Sequence, residues 1–499
     1  MNRSTPPSRA TSRGQVLVLL VAALLVAVLV VTLLSAGTAG LGSTGSTVSP
    51  PATTVMPTLA AITASATPAP APSVMPTEVA IASPARPSGS PGPIPGDATE
   101  ALIKAYTETL RANPNDHDTL LLLGLAYYQH ARETADPTDY GRAQQAFDRL
   151  IATNPDDVEA LIGEGTIALA RHDFAGALEI GQQALSLGQP VARIYGVIGD
   201  AQVELGRYVD AVKSVQSMVN TRPDLSSYSR VSYQRELHGQ LDGAISAMES
   251  AVEAGGPATE NTEYVRVILG NLWFLKGDLA KAEASYEASL AHSPGYVYAL
   301  AGLARVKAAN GDLAGAIGLY RQAADRVPFP EFLIAQGETQ EAAGLADDSA
   351  RTYRLVRQIE GLFKANGVNT DLDLALFEAE HGDPATALEL ARAAYAATPN
   401  IKAADALAWA LFKNGQLPEA RERALEALRL GTLDPSYLYH AGMIAKAQGD
   451  DAWARLWLGE SVAANPAWSP LHAPRALAAL AQLGPGPVAS AAPSGSLVP

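Results

Sequence analysis

Residues 300–328 read LAGLARVKAANGDLAGAIGLYRQAADRVP. With Val297 as position 1, Leu300, Leu303 and Ala304 fall at positions 4, 7 and 8, and Ala316, Tyr320, Ala323 and Pro328 at 20, 24, 27 and 32. The apolar spacing is that of two amphipathic helices, and Asn310-Gly311-Asp312 ends one and starts the other. Gly311 suits a left-handed helix C-terminus, and Asp312 suits the N-cap that follows. Small residues at 8, 20 and 27 let two antiparallel helices approach closely, while large ones at 4, 7 and 24 fill the space between pairs.

The pattern recurs along the chain. One copy carries Leu120, Leu123, Gly124, Tyr127, Ala143, Phe147 and Pro155; another carries Leu269, Gly270, Gly277, Ala282, Tyr286 and Pro294. A late copy has Leu438, Gly442, Gly449, Ala454, Leu458 and Pro466, and a degenerate one has Gly337, Gly344 and Tyr353 with Ser349 in place of alanine. Ten copies fit between residues 117 and 468, with a leading half-copy at Ala98–Pro114 and a closing helix near Pro470–Leu483. The pattern resembles the tetratricopeptide repeat (TPR), a helix–turn–helix of 34 residues. The resemblance implies an all-α, right-handed α-solenoid of about ten TPR repeats over residues 97–484, in which repeats contact only their neighbours and the array is extended. Three departures are read as longer turns: about seven extra residues around Ala131–Tyr140, and short insertions near Ala258–Thr262 and Lys364–Gly367. The segment Ala131–Tyr140 is alternatively a binding loop.

The resemblance also implies a concave groove lined by positions 2, 5, 9, 12 and 13 of each first helix. Carried onto this sequence, those positions hold Asp200, Tyr233, Tyr264, Asn271, Phe274, Tyr298, Arg305, Glu338, Glu341, Asp405, Trp409, Phe412 and Tyr439. Rings interleaved with single polar groups suit a peptide or the helix of another protein. Trp409 and Arg305 are expected to be partly exposed there, with inter-repeat packing as the alternative for the aromatics. Asn271 and Arg305, one repeat apart, loosely resemble the carboxylate clamp of chaperone-tail-binding TPR domains. The basic residue that clamp needs at position 5 is replaced by Val267 and Ala301.

Composition narrows the chemistry. The 499 residues include no cysteine, which excludes disulfides, thiolate catalysis and cysteine-ligated metals. The net charge is −15, and from Asp97 onward 32 basic residues face 50 acidic ones. Such a protein repels phosphate backbones, so nucleic acid is not an expected partner. The eight histidines form no H-E-x-x-H motif, and no G-x-S-x-G, Walker or G-x-G-x-x-G pattern occurs. The sequence therefore reads as non-enzymatic and without cofactor or metal; nothing in it sets an oligomeric state.

Residues 1–14 carry Arg3, Arg9 and Arg13 with no acid, and residues 15–35 are an almost unbroken apolar run, long enough to cross ~30 Å of hydrocarbon. The arginines place the N-terminus in the cytoplasm and the repeats outside. A cleaved signal and a secreted protein are the alternative, because small residues follow at Ser35–Gly40. Residues 36–96 include twelve prolines between Pro50 and Pro95 and read as a disordered linker; residues 485–499 read as a disordered tail. The functional expectation is a membrane-tethered scaffold or adaptor that binds a protein or peptide in its groove. The alternative is an accessory subunit for envelope polymer synthesis or export, acting with a separate enzyme.

Overall fold

The structure, a computed structural model, describes residues 97–256 and 259–490. The expected cytoplasmic tail, membrane helix and linker lie outside the described residues. Among the described residues there are twenty-two α-helices and no strand, and no helix is long and apolar enough to cross a membrane. A leading helix α1 (Asp97–Ala112) precedes ten hairpins. The first five are α2 (His117–Thr134) with α3 (Thr138–Thr153), α4 (Val158–Ala170) with α5 (Phe174–Ser186), α6 (Ala192–Glu204) with α7 (Tyr208–Thr221), α8 (Leu225–Leu237) with α9 (Leu241–Ala254), and α10 (Glu260–Leu275) with α11 (Leu279–His292). The next three are α12 (Val297–Ala309) with α13 (Leu313–Arg326), α14 (Pro330–Ala342) with α15 (Ala346–Ala365), and α16 (Asp371–His381) with α17 (Pro384–Ala397). The last two are α18 (Ile401–Lys413) with α19 (Leu417–Ala427) and α20 (Pro435–Ala447) with α21 (Asp451–Ala463); α22 (His472–Leu483) closes the array.

Local chemistry explains where each helix starts. Asp116, Asp157, Asp173, Asp278, Asp312 and Asp383 accept hydrogen bonds from backbone N–H groups of the first turn, satisfying donors that have no partner within the helix. Prolines begin α14 and α20, where a missing N–H costs nothing. The small residues act as expected: Ala304, Ala316 and Ala323 are fully buried. Tyr286 shows why. Its ring lies between Gly270 of its own hairpin and Gly302 of the next, and a methyl group on either glycine would overlap the ring. Phe147 sits in the same way between Gly124 and Gly163.

The expectation that repeats touch only their neighbours is overturned. The turn inside each of the second to fifth hairpins meets the loop that follows the seventh to tenth, so the array coils and stacks on itself. Asn369 N–H donates to Arg171 O (3.1 Å) and Tyr208 Oη accepts from Ile401 N–H (2.9 Å). Asn400 Nδ2 donates to Glu204 O (2.8 Å), and Asn465 Nδ2 to Phe274 O (2.9 Å). These partners are 191 to 198 residues apart. The approach is made possible by glycine. Gly206, Gly239 and Gly277 have φ of +71°, +68° and +82°, and the space a Cβ would occupy is taken by the carbonyl oxygens of Pro399, Gly431 and Ala464. In the second hairpin His172 (φ +61°) stands in the glycine's place, and its Nδ1 approaches Asn369 O at 2.6 Å.

Two further expectations are corrected. The extra residues at 131–140 are not a long loop: they lengthen α2 and α3, leaving three residues between them. They deliver Arg132 to the coil axis, where its Nη2 pairs with Glu260 of α10 (3.3 Å) and its guanidinium lies over the Tyr264 ring. The tail is also not free from residue 485. Arg455 donates to Gly484 O (3.0 Å) and Pro487 O (3.2 Å), and Ala489 N–H donates to Ala452 O (3.1 Å).

Burial on the axis sets a pH dependence. Glu360 of α15 is 4% exposed, and burial, followed by the nearby Asp373 carboxyl, pushes it up to about 8. Because the folded protein holds this proton more tightly than the unfolded chain, the stabilisation is full below about pH 4.5 and is lost as pH rises through about 8. Glu331 of α14, also pushed to about 8 by burial, acts in the same sense. Denaturation midpoints should fall between pH 6 and pH 9. Glu360→Gln should remove on the order of 2 kcal/mol of that fall. Equal slopes for parent and variant would show that Glu360 is ionised in the fold.

Candidate functional site

The groove residues divide into three places. Between the fifth and sixth hairpins, Asn271 Oδ1 accepts from Arg305 Nη2 and from Tyr286 Oη (2.7 Å), and the Arg305 guanidinium lies 4.5 Å over the Phe274 ring. The two residues of the imagined clamp are thus each other's partners. Tyr298 packs edge-on against Tyr264 (5.4 Å) and against Phe332 (5.6 Å). Phe274 is buried, 4% exposed, and Arg305, Asn271 and Tyr298 are half-buried.

The second place is the last quarter of the array, where α14, α16, α18, α20 and α22 bring acids, histidines and rings together. Trp409 is 3% exposed, stacked between Phe412 (4.8 Å) and His440 (4.2 Å), and its Nε1 donates to Glu380 Oε2 (3.2 Å). The expectation that Trp409 is partly exposed is therefore corrected: the tight coil turns its position inward against neighbouring helices. Asp405, 2% exposed, holds the same His440 at 2.9 Å. Phe412 is half-buried. Glu338 receives His381 Nε2 at 3.2 Å and lies 3.7 Å from His472 Nε2. Burial pushes Glu338 up, but the two imidazoles outweigh it and hold the carboxyl at about 2. Arg475 of α22 reaches back to Glu380 and Glu341.

The third place was not singled out as a site in the sequence. A half-enclosed cavity of about 390 Å³ lies at the seam where the coil meets itself, lined from α6, α8, α10, α16, α18 and α20. Asp200 and Tyr233 border it. Asp200 makes a two-pronged pair with Arg230 (Nε 3.0 Å, Nη2 2.9 Å), and Lys402 pairs with Glu204 (3.2 Å). Glu236, Gln234, Asp373 and Asp434 are among its other polar lining residues. Part of this was readable: Glu236 and Lys402 occupy positions 12 and 2 of the register used for the groove. Asp373 follows the insertion at 364–367 and falls on no groove position. Among the described residues no group of acids and histidines is arranged to hold a metal ion.

Comparison with known proteins places these hairpins. Tetratricopeptide-repeat family profiles match residues 131–192 and 238–297, and a second such profile matches 274–337. The chain is 27% identical over 349 residues to "Cellulose synthase operon protein C" of Xanthomonas axonopodis pv. citri (strain 306), covering 66% of this chain and 20% of that protein. It is 25% identical over 222 residues to "Cellulose synthase 1 operon protein C" of Komagataeibacter xylinus, covering 43% of this chain and 14% of that one. The chain thus spans a fifth or less of the length of these relatives. Among solved structures, the human IFIT1 dimer aligns with a TM-score of 0.42 at 14% identity, over 74% of this chain and 87% of that one. The helix pairs within residues 131–192, 238–297 and 274–337 are tetratricopeptide repeats.

Proposed function

We propose that this protein is a membrane-tethered scaffold that works beside an enzyme of envelope polymer synthesis or export and contributes no chemistry of its own. The observation that carries the reading is the coiled array: ten hairpins locked by contacts 191 to 198 residues apart form a body stiff enough to hold a partner at a fixed place. The names of the two relatives, both of a cellulose synthase operon, support the polymer-related setting. Residues 15–35 supply the tether and the repeats lie outside the cytoplasmic membrane. The partner is a protein or peptide that meets the half-exposed members of the groove set, Arg305, Glu338 and Phe412 foremost.

The test is photo-cross-linking from positions 305, 338 and 412 of the full chain in intact cells. The expected product joins the chain to a subunit of an extracellular polysaccharide synthase or exporter, and deletion of residues 97–484 should lower the polymer exported. Protease added to spheroplasts should digest the repeats. Repeats cut only after permeabilisation would reverse the topology. Cross-links to synthase subunits from outward-facing positions alone would remove the groove from the reading.

A further inference from the structure

The seam cavity has a polar lining that the protein itself does not complete. Five carboxyl side chains border it, Asp200, Glu204, Glu236, Asp373 and Asp434, against two cationic ones, Arg230 and Lys402. Arg230 is spent on Asp200, and Lys402 pairs with Glu204. Asp434 caps α20 by accepting from Ser436 N–H (2.8 Å). Glu236 and Asp373 are left: among the described residues neither makes a hydrogen bond or an ion pair, although both are half-buried. A separate observation points the same way. Gln234, 3% exposed and bordering the same cavity, has a side-chain oxygen with no hydrogen-bond donor. Buried acceptors are almost always paired in folded proteins, so the Gln234 oxygen beside two half-buried carboxyls without partners describes a missing donor. The apolar part of the lining includes Ile268, Leu272, Leu275 and Leu376, and Tyr233, Asn271 and Thr432 are among the other polar groups on the wall. The volume of about 390 Å³ is that of a small-molecule site, roughly 300–1,000 Å³.

We propose that this cavity binds an organic cation, a protonated amine on a short aliphatic stem, with Glu236, Asp373 and Gln234 receiving its N–H groups and the leucines covering its stem. A compact ammonium suits the site because it offers three donors and one positive charge to two carboxyls and an amide oxygen that lack a donor. An anion would be repelled by the two carboxyls, and a neutral alcohol would bring them no positive charge. The same chemistry is available from a free aliphatic amine or from the lysine side chain of a protein.

Titration calorimetry of the full chain at pH 8 tests this with hexylammonium, hexanoate, hexan-1-ol and a blocked peptide containing one lysine. Hexylammonium should bind at least tenfold more tightly than hexanoate or hexanol. Glu236→Gln and Asp373→Asn should each weaken it at least tenfold, while melting at or above the temperature of the parent protein, because each removes an unpaired half-buried carboxyl. If the lysine peptide competes with hexylammonium at similar concentration, the natural source is a protein side chain; if it does not compete, the source is a free amine. Hexanoate or hexanol binding as tightly as hexylammonium overturns the proposal. So does hexylammonium affinity unchanged in both variants. The comparison among the three hexyl probes needs no variant, so it holds even where a substitution disturbs folding.

Discussion

Gly277→Ala should destabilise the protein by about 3 kcal/mol, while Gly415→Ala should cost only about 1–2 kcal/mol. Both glycines end a first helix with positive φ, at +82° and +73°, so both variants carry the strain of a left-handed alanine. Only Gly277 has a carbonyl oxygen, that of Ala464, in the space the methyl group needs; Gly415 has nothing within 4 Å. The methyl must push the fifth hairpin away from the loop after the tenth, and the Asn465–Phe274 hydrogen bond goes with it. Chemical denaturation of the full chain measures the difference. Hydrogen exchange at the amides of α10 and α21 should rise in Gly277→Ala alone. Equal losses for the two variants would mean that the coil is open in solution.

Trp409→Ala is expected to lower stability by about 3–5 kcal/mol, the range for removing a fully buried aromatic. The ring fills the space between Phe412 and His440, and its Nε1 holds Glu380, which also receives Lys413 (2.9 Å) and Arg475. Truncation would therefore open a cavity and leave a buried carboxylate with one donor fewer. Thermal melting followed by circular dichroism reads the outcome. A variant that melts near the parent temperature yet loses its partner would return Trp409 to the groove. Arg305→Ala is the useful comparison, because Arg305 is half-buried and its removal frees Asn271 and uncovers Phe274.

The phase of the ten hairpins was legible because it is written in short-range terms. Alanine where helices cross, glycine at the turn and aspartate at the cap each act within a few residues, and α1 and α22 fall within a few residues of the expected end helices. The seam was illegible for a matching reason. Gly206, Gly239 and Gly277 look the same in sequence as Gly311, Gly415 and Gly449, yet the first three carry another turn of the coil and the others face open space. What separates them is the rotation accumulated over five hairpins, and no single residue encodes it. The sequence does hold one irregularity at this place, His172 where a glycine is expected, and the structure puts its ring against Asn369. Trp409 was misplaced by the same omission. A groove register identifies side chains that face the axis, but whether the axis is open depends on the tightness of the coil. The unpaired Glu236 and Asp373 escaped because the absence of a partner is a property of three dimensions.

The stacking of turns also limits how such a gene can change its length. In an open solenoid, duplicating or losing one hairpin leaves every other interface as it was, and copy number drifts freely. Here the partners Phe274 and Asn465, Glu204 and Asn400, and Arg171 and Asn369 each lie on opposite sides of the interval 278–368. Gain or loss of one 34-residue unit inside that interval would shift all three pairs out of register together. An added unit before residue 117 or after residue 470 would disturb none of them. Tandem duplications that survive selection should therefore accumulate at the two ends of the array, with the middle held at a fixed count.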